Sequence, residues 1–136
     1  MIEVRTARFG VLKVPEDNIV YFPEGLLGFS RLKKYVLLDY KDTYVKLLQS
    51  LDDPDITFGV INVFEIEPSY EFKIPESVLR LLELKRIKDA EVLVILRVEG
   101  EKIFVNFQIP LVINPINRKG VQIIVENASV KVYNMH

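Results

Sequence analysis

Apolar and polar residues alternate along much of the chain. Ile2, Val4 and Thr6 alternate with Glu3, Arg5 and Ala7, the period of two that places successive side chains on opposite faces of a strand. Residues 11–14 form a second short run after Phe9-Gly10, a predicted turn, and residues 19–22 a third beyond the polar Pro15-Glu16-Asp17-Asn18. The longest alternation is Ile103, Val105, Phe107, Ile109, Leu111 and Ile113, with Asn106 and Gln108 between them. It predicts one strand with a single apolar face. Pro110 lacks an N–H, which predicts an edge, a bulge or a break there. Residues 91–98 are apolar on both faces and predict a central strand. Glu99-Gly100-Glu101-Lys102 predicts the hairpin turn between the two. Val121, Ile123 and Val125 predict a further strand, and residues 130–133 a last one.

One segment changes period. Val78, Leu79, Leu81, Leu82 and Leu84 fall on one helical face and predict a short helix at about 75–85. Pro75 suits its first turn and Glu76 the positive end of its dipole, with Lys85 and Arg86 at the other end. Residues 30–34 could form one further helical turn with Ser30 as N-cap. Valine and isoleucine outnumber leucine, and β-branched residues favour the pleated, half-buried surface of a sheet. The predicted fold is mainly β: a compact antiparallel barrel-like or sandwich domain with one short helix, spanning 1–136 as a single domain.

Composition narrows the chemistry. Among 136 residues, 18 Lys+Arg stand against 19 Asp+Glu, a net charge of −1 that argues against binding nucleic acid through bulk charge. There is no cysteine, and the one histidine is His136. Thiolate metal sites, disulfides, thiol nucleophiles and histidine triads are therefore ruled out within one chain. No serine has a visible base partner and no carboxylate pair is set apart, so no enzyme activity, cofactor or metal is expected. Nothing resembles a targeting segment or a membrane span, and the expected location is the cytoplasm.

Two stretches stand out as candidate sites. Phe22-Pro23-Glu24-Gly25-Leu26-Leu27-Gly28-Phe29 is unusually apolar for a loop. Its large side chains either plug the end of a barrel or present Leu26, Leu27 and Phe29 to a partner. Its glycine spacing does not suit a phosphate loop. Asp52-Asp53-Pro54-Asp55 is the densest acidic cluster. It reads as a turn, since Asp and Pro suit turn positions and no calcium-loop spacing supports a metal. Its carboxylates could also meet a basic partner surface. Arg31, Lys33 and Lys34, then Lys85, Arg86 and Lys88, then Arg118 and Lys119 form small basic groups. With Tyr35, Tyr40, Tyr44 and Tyr70 they could bind RNA by stacking, or they could be an ordinary solvated surface. Asn114, Asn117 and Asn127 are assigned turn chemistry.

Several separated words then point one way. TARFG (6–10), FPEGLLGF (22–29), LQSLDDPDITFGVINVF (48–64), YEFKIPESVLRLLEL (70–84) and IPLVINPINRKGVQIIVEN (109–127) together resemble the flagellar assembly factor FliW family, in order and across nearly the whole chain. The resemblance departs at Lys46-Leu47-Leu48 and at residues 130–133, where a tail common in relatives is missing. It implies a barrel-like β fold with one short helix. It further implies a protein that binds and antagonises the translational repressor CsrA and also binds flagellin, coupling flagellin synthesis to export. Neither direct RNA binding nor a membrane is then expected. Leu26, Leu27 and Phe29 become candidate apolar contacts, and Asp52, Asp53 and Asp55 candidate acidic ones. A barrel that binds RNA directly is the alternative.

Overall fold

The N-terminal alternation folds as a hairpin in the computed structural model, which is described over residues 1–135; His136 lies outside the described residues. β1 (Ile2–Thr6) pairs antiparallel with β2 (Gly10–Val14). The Thr6 hydroxyl closes the turn, donating to the Gly10 carbonyl at 2.8 Å and accepting from the Phe9 N–H at 2.8 Å.

The remaining strands form one antiparallel sheet. They are β3 (Ile19–Tyr21), β4 (Lys34–Asp39), β5 (Lys46–Ser50), β6 (Thr57–Asn62), β7 (Glu91–Glu99), β8 (Lys102–Ile113), β9 (Gly120–Gln122) and β10 (Val130–Asn134). The order is β10-β8-β7-β6-β5-β4-β3, with β9 on the far half of β8. The sheet curls until its ends nearly meet. Tyr21 on β3 bridges Lys119 just before β9, and the Tyr21 N–H donates to the Arg118 carbonyl at 2.9 Å. This nearly closed barrel removes most of the free edge that an open sheet would expose.

The interior is filled by alternate residues from successive strands: Val20, Tyr35, Leu37, Leu48, Val60, Leu93, Leu111 and Ile113, with Phe22 and Leu26 from the loop after β3. The opposite face of the sheet is covered in three places. The β1–β2 hairpin lays Val4 and Val14 on Val36, Leu38 and Leu47. The segment after β6 lays Tyr70 and Phe72 on Val92, Val94, Val105 and Phe107. The helix α1 (Glu76–Leu82) and Ile74 cover Val112, Val121 and Ile123.

β8 departs from the single apolar face that its alternation predicts. Its register with β7 shifts between Leu93 and Ile95: Leu93 pairs Leu111, but Ile95 pairs Asn106. Four residues, 107–110, therefore oppose Val94 in a bulge that contains Pro110. The extra residues reverse the parity. Val105 and Phe107 pack on the outer face, whereas Leu111 and Ile113 enter the barrel. The bend also lets one strand serve two partners, β10 along residues 102–106 and β9 along 111–113.

The helix is shorter than its pattern. It stops at Leu82 because Glu83 turns left-handed at φ 57°, with its N–H bonded back to the Arg80 and Leu79 carbonyls. Lys85 and Arg86 therefore lie beyond it. Asn114 and Asn117 both donate through Nδ2 to the orphan Leu82 carbonyl, at 2.8 and 3.0 Å, so the turn asparagines also cap the helix. Residues 30–34 are not helical: a turn leads directly into β4 at Lys34. Among the described residues, no helix is long and apolar enough to cross a membrane.

The last strand is tied down electrostatically. Glu67 accepts from Lys131 Nζ at 3.0 Å and from the Tyr133 hydroxyl at 2.9 Å. Hydrogen bonds from Lys131 first, then from Tyr133, hold the Glu67 carboxyl below its ordinary 4.5, while burial and then Glu67 push Tyr133 up to about 12. A depressed carboxylate adds stability that is present above its unfolded value and lost as pH falls through the folded one. β10 is therefore expected to loosen as pH falls below the ordinary 4.5 of this carboxyl. Amide exchange of residues 130–134 against pH checks this, and Glu67→Gln should remove the acid-dependent step. A step of equal size in that variant would sink the assignment to Glu67.

Candidate functional site

Antiparallel pairing brings the two candidate stretches to one end of the barrel. Tyr35 at the start of β4 pairs Ser50 at the end of β5. The loop entering β4 and the turn leaving β5 therefore emerge side by side. The β1–β2 turn joins them, since the Ala7 N–H donates to the Pro54 carbonyl at 3.0 Å.

The loop after β3 is built from both readings that the sequence leaves open. Phe22 is fully buried and stands edge-on to Tyr35, with ring centroids 5.6 Å apart. Leu26 is only 3% exposed and belongs to the barrel core. As a candidate contact, Leu26 is thus corrected to a plug, because it has no surface to offer. Leu27 is 56% exposed, and Phe29 is half-buried. Gly25 sits at φ +69°, and a Cβ there would lie 2.7 Å from the Ser30 Cα and carbonyl oxygen. The loop thus folds back on itself through a contact that only glycine permits. Phe29 N–H donates to the Leu26 carbonyl at 2.8 Å, and Leu27 N–H to Gln122 Oε1 at 2.7 Å. These bonds hold the Leu27 side chain outward on a fixed backbone.

The acidic stretch is a turn, held from beneath. Asp53 Oδ1 accepts from the Asp55 N–H at 3.0 Å, and the Asp53 carbonyl from Ile56 N–H at 3.1 Å. The Ser50 hydroxyl accepts from the N–H groups of Asp52 and Asp53. Gln49 is the residue that sequence reasoning missed. Its buried amide reaches the carbonyls of Ser50, Pro54 and Ile56 at 3.0–3.2 Å. A polar residue inside an apolar strand was the available signal, because a buried amide needs partners. Asp52 and Asp55 are exposed and Asp53 is half-buried. Among the described residues, no group of three or more acidic or histidine side chains is arranged to hold a metal.

An aromatic series links the two stretches. Phe29 meets Phe58 at 5.4 Å, and Phe58 meets Tyr35 at 6.3 Å. The Tyr35 hydroxyl is buried without a hydrogen-bond partner. Burial, and then the nearby Asp52 charge, raise it to about 12. The end of the barrel therefore presents Leu27 and Phe29 together with Asp52 and Asp55, backed by a rigid aromatic floor.

Two of the four candidate tyrosines are unavailable for base stacking, whereas Tyr44 is 73% exposed and Tyr40 lies beneath Arg8 and Lys41. Tyr35 is fully buried, and Tyr70 turns inward to donate to the Phe107 carbonyl at 2.8 Å. Lys119 is paired with Glu83, Arg86 with Asp89, and Lys33 donates to the Pro23 carbonyl.

Comparison with known proteins agrees with this architecture. The FliW protein family model matches residues 3–135. A flagellar assembly factor FliW from Caldicellulosiruptor bescii is 38% identical over 126 residues, covering 91% of this chain and 83% of the relative. One from Caldanaerobacter subterraneus subsp. tengcongensis is 34% identical over 130 residues, covering 93% and 87%. A crystal structure of the flagellar assembly factor FliW superposes with a TM-score of 0.85 at 32% identity, over 99% of this chain and 97% of the other.

Proposed function

The chain belongs to the FliW family of flagellar assembly factors, and on that premise we propose that it works by binding proteins, antagonising the translational repressor CsrA and exchanging it for flagellin. Free protein would hold the repressor and relieve repression of the flagellin message. New flagellin would occupy this chain and release the repressor. If the two partners exclude one another here, each lowers the apparent affinity of the other by the same factor. The observation that supports this reading is the barrel end to which strand pairing brings both stretches, where Leu27, Asp52 and Asp55 are all exposed. Apolar anchors on a fixed backbone give affinity, and acidic groups steer a basic RNA-binding partner into place.

A gel-shift titration on flagellin leader RNA tests it. The protein alone should leave the RNA unshifted, and it should abolish the repressor's shift near stoichiometric ratio. Flagellin should then restore that shift. A shift by the protein alone would replace this reading with direct RNA binding.

The acidic contribution has its own test. Asp52→Lys with Asp55→Lys should weaken repressor binding by about tenfold or more, mostly through a slower and less salt-sensitive association. Binding kinetics at two ionic strengths measure it. An unchanged affinity would remove the acidic turn from the interface.

A further inference from the structure

On the outer face, away from the barrel end, two extended segments run over one apolar cluster without bonding to each other. In the first, Tyr70, Phe72 and Ile74 pack inward while Glu71 and Lys73 are exposed. This is the alternation of a strand. Yet among the described residues, no backbone N–H or C=O of Glu71, Phe72, Lys73 or Ile74 is bonded to another backbone group. The second segment continues β9. Ile123 and Val125 pack inward, and their N–H groups donate to the Pro110 and Gln108 carbonyls at 3.0 and 2.7 Å. Alternation then turns the backbone groups of Ile124 and Glu126 away from β8, and neither residue has a backbone partner.

Between these two banks lies a trough of about 730 Å³, floored and walled by Phe64, Phe72, Ile87 and Ile124. Ile124 is 70% exposed, and Phe64 and Ile87 are each more than two-fifths exposed. Three large apolar side chains left open on one trough are more than scattered surface hydrophobes. A second cavity of about 260 Å³ shares Tyr70, Glu71, Val125 and Asn127 with it and leads on to Lys131.

We propose that this trough receives an extended segment of a partner protein, added as a β-strand against the unpaired backbone of 71–74 and of Ile124 and Glu126. Strand addition takes affinity from main-chain bonds and specificity from alternate side chains. Here the inward side of the incoming strand meets Phe72 on the trough floor, beside Tyr70 and Val125, so apolar residues belong there. Glu71 and Glu126 outnumber Lys73 along the banks, so basic residues belong at the alternate positions. A second copy of this chain is a poorer occupant. Its exposed edge strand β10 carries one cation, Lys131, already held by Glu67.

The test uses the full chain and an acetylated nonapeptide that alternates valine with lysine. It needs neither CsrA nor flagellin, so its outcome is separate from that of the partner-exchange reading. Hydrogen exchange should slow at the amides of Glu71, Lys73, Ile124 and Glu126 when the peptide is added. Replacing its lysines by glutamate, or substituting Ile124→Lys in the protein, should weaken binding at least about tenfold. N-methylation of alternate peptide amides should abolish it. Absence of saturable binding, or binding that N-methylation leaves intact, overturns the proposal. Concentration-dependent protection of the same amides without peptide overturns it in favour of a second copy.

Discussion

Replacing Phe22 by alanine is expected to cost about 3–5 kcal/mol, a large share of the roughly 5–15 kcal/mol that holds a domain of this size together. The ring is fully buried and lies in the barrel interior against Tyr35. It also occupies space that any side chain at position 120 would need: a Cβ on Gly120 would lie 2.5 Å from Phe22 Cε1. The ring therefore packs on bare backbone at the seam where Tyr21 meets Arg118. Truncation leaves a cavity that the curled sheet cannot collapse, because bonded strands hold its walls. Urea unfolding measures the loss. Phe22→Leu keeps most of the volume and should cost less than about 1.5 kcal/mol. A loss under about 1 kcal/mol for Phe22→Ala would mean that the seam does not depend on this plug. Because Phe22 begins the loop that displays Leu27, partner binding should fall only as far as the loop unfolds. Affinity must therefore be compared at equal folded fraction.

Gly25→Ala is expected to destabilise by about 2–5 kcal/mol, the sum of a left-handed backbone penalty and steric overpacking. Its φ is +69°, and the new methyl would meet the Ser30 Cα and carbonyl oxygen at 2.7 Å and the Phe29 carbonyl oxygen at 2.8 Å. Those are backbone atoms, which cannot swing aside as a side-chain tip can. Gly28 separates the two causes. It has φ +82° but open space around its Cβ position, so Gly28→Ala should cost only about 1–2 kcal/mol. Equal losses at both positions would show that the clash at Ser30 is relieved by movement. Since Phe29 and Leu27 hang on this fold-back, Gly25→Ala should also weaken partner binding more than Gly28→Ala does. A loop that binds as a flexible tether would not distinguish them.

Periodicity reads well where one face is wet. β1, the hairpin at Gly100 and the last strand are all legible, because their alternation or their turn chemistry is local, and β7 is legible as a continuous apolar run that the same hairpin turn closes. β4, β5 and β6 were not singled out by alternation. β4 is buried from Tyr35 to Leu38, and β5 from Leu47 to Ser50. A strand covered on both faces has no polar phase for a period of two to reveal. The face exchange in β8 was hidden for a different reason. Ile103 to Ile113 keeps its alternation through the bulge, and only the pairing with β7 shows that parity reverses. Pro110 marked the place without indicating the consequence.

The candidate site divides along the same line. The words FPEGLLGF and DDPD, the family they belong to and the turn chemistry of the aspartates are properties of the chain order itself. Short-range geometry and composition are enough to find them. That Leu26 plugs the barrel while Leu27 stands outside could not be read from neighbouring leucines of one loop. It depends on where residues far along the chain come to rest: Gln122, which holds the Leu27 N–H, and the core into which Leu26 packs. The same holds for the unpaired banks at 71–74 and 124–126. Their strand-like alternation is local, but the lack of a neighbour is a fact about the whole sheet. Local sequence determines what each segment can be, because dihedral preference and side-chain period act over a few residues. Burial and pairing are settled by contacts between distant segments, so only the tertiary structure decides which side chains remain free to bind.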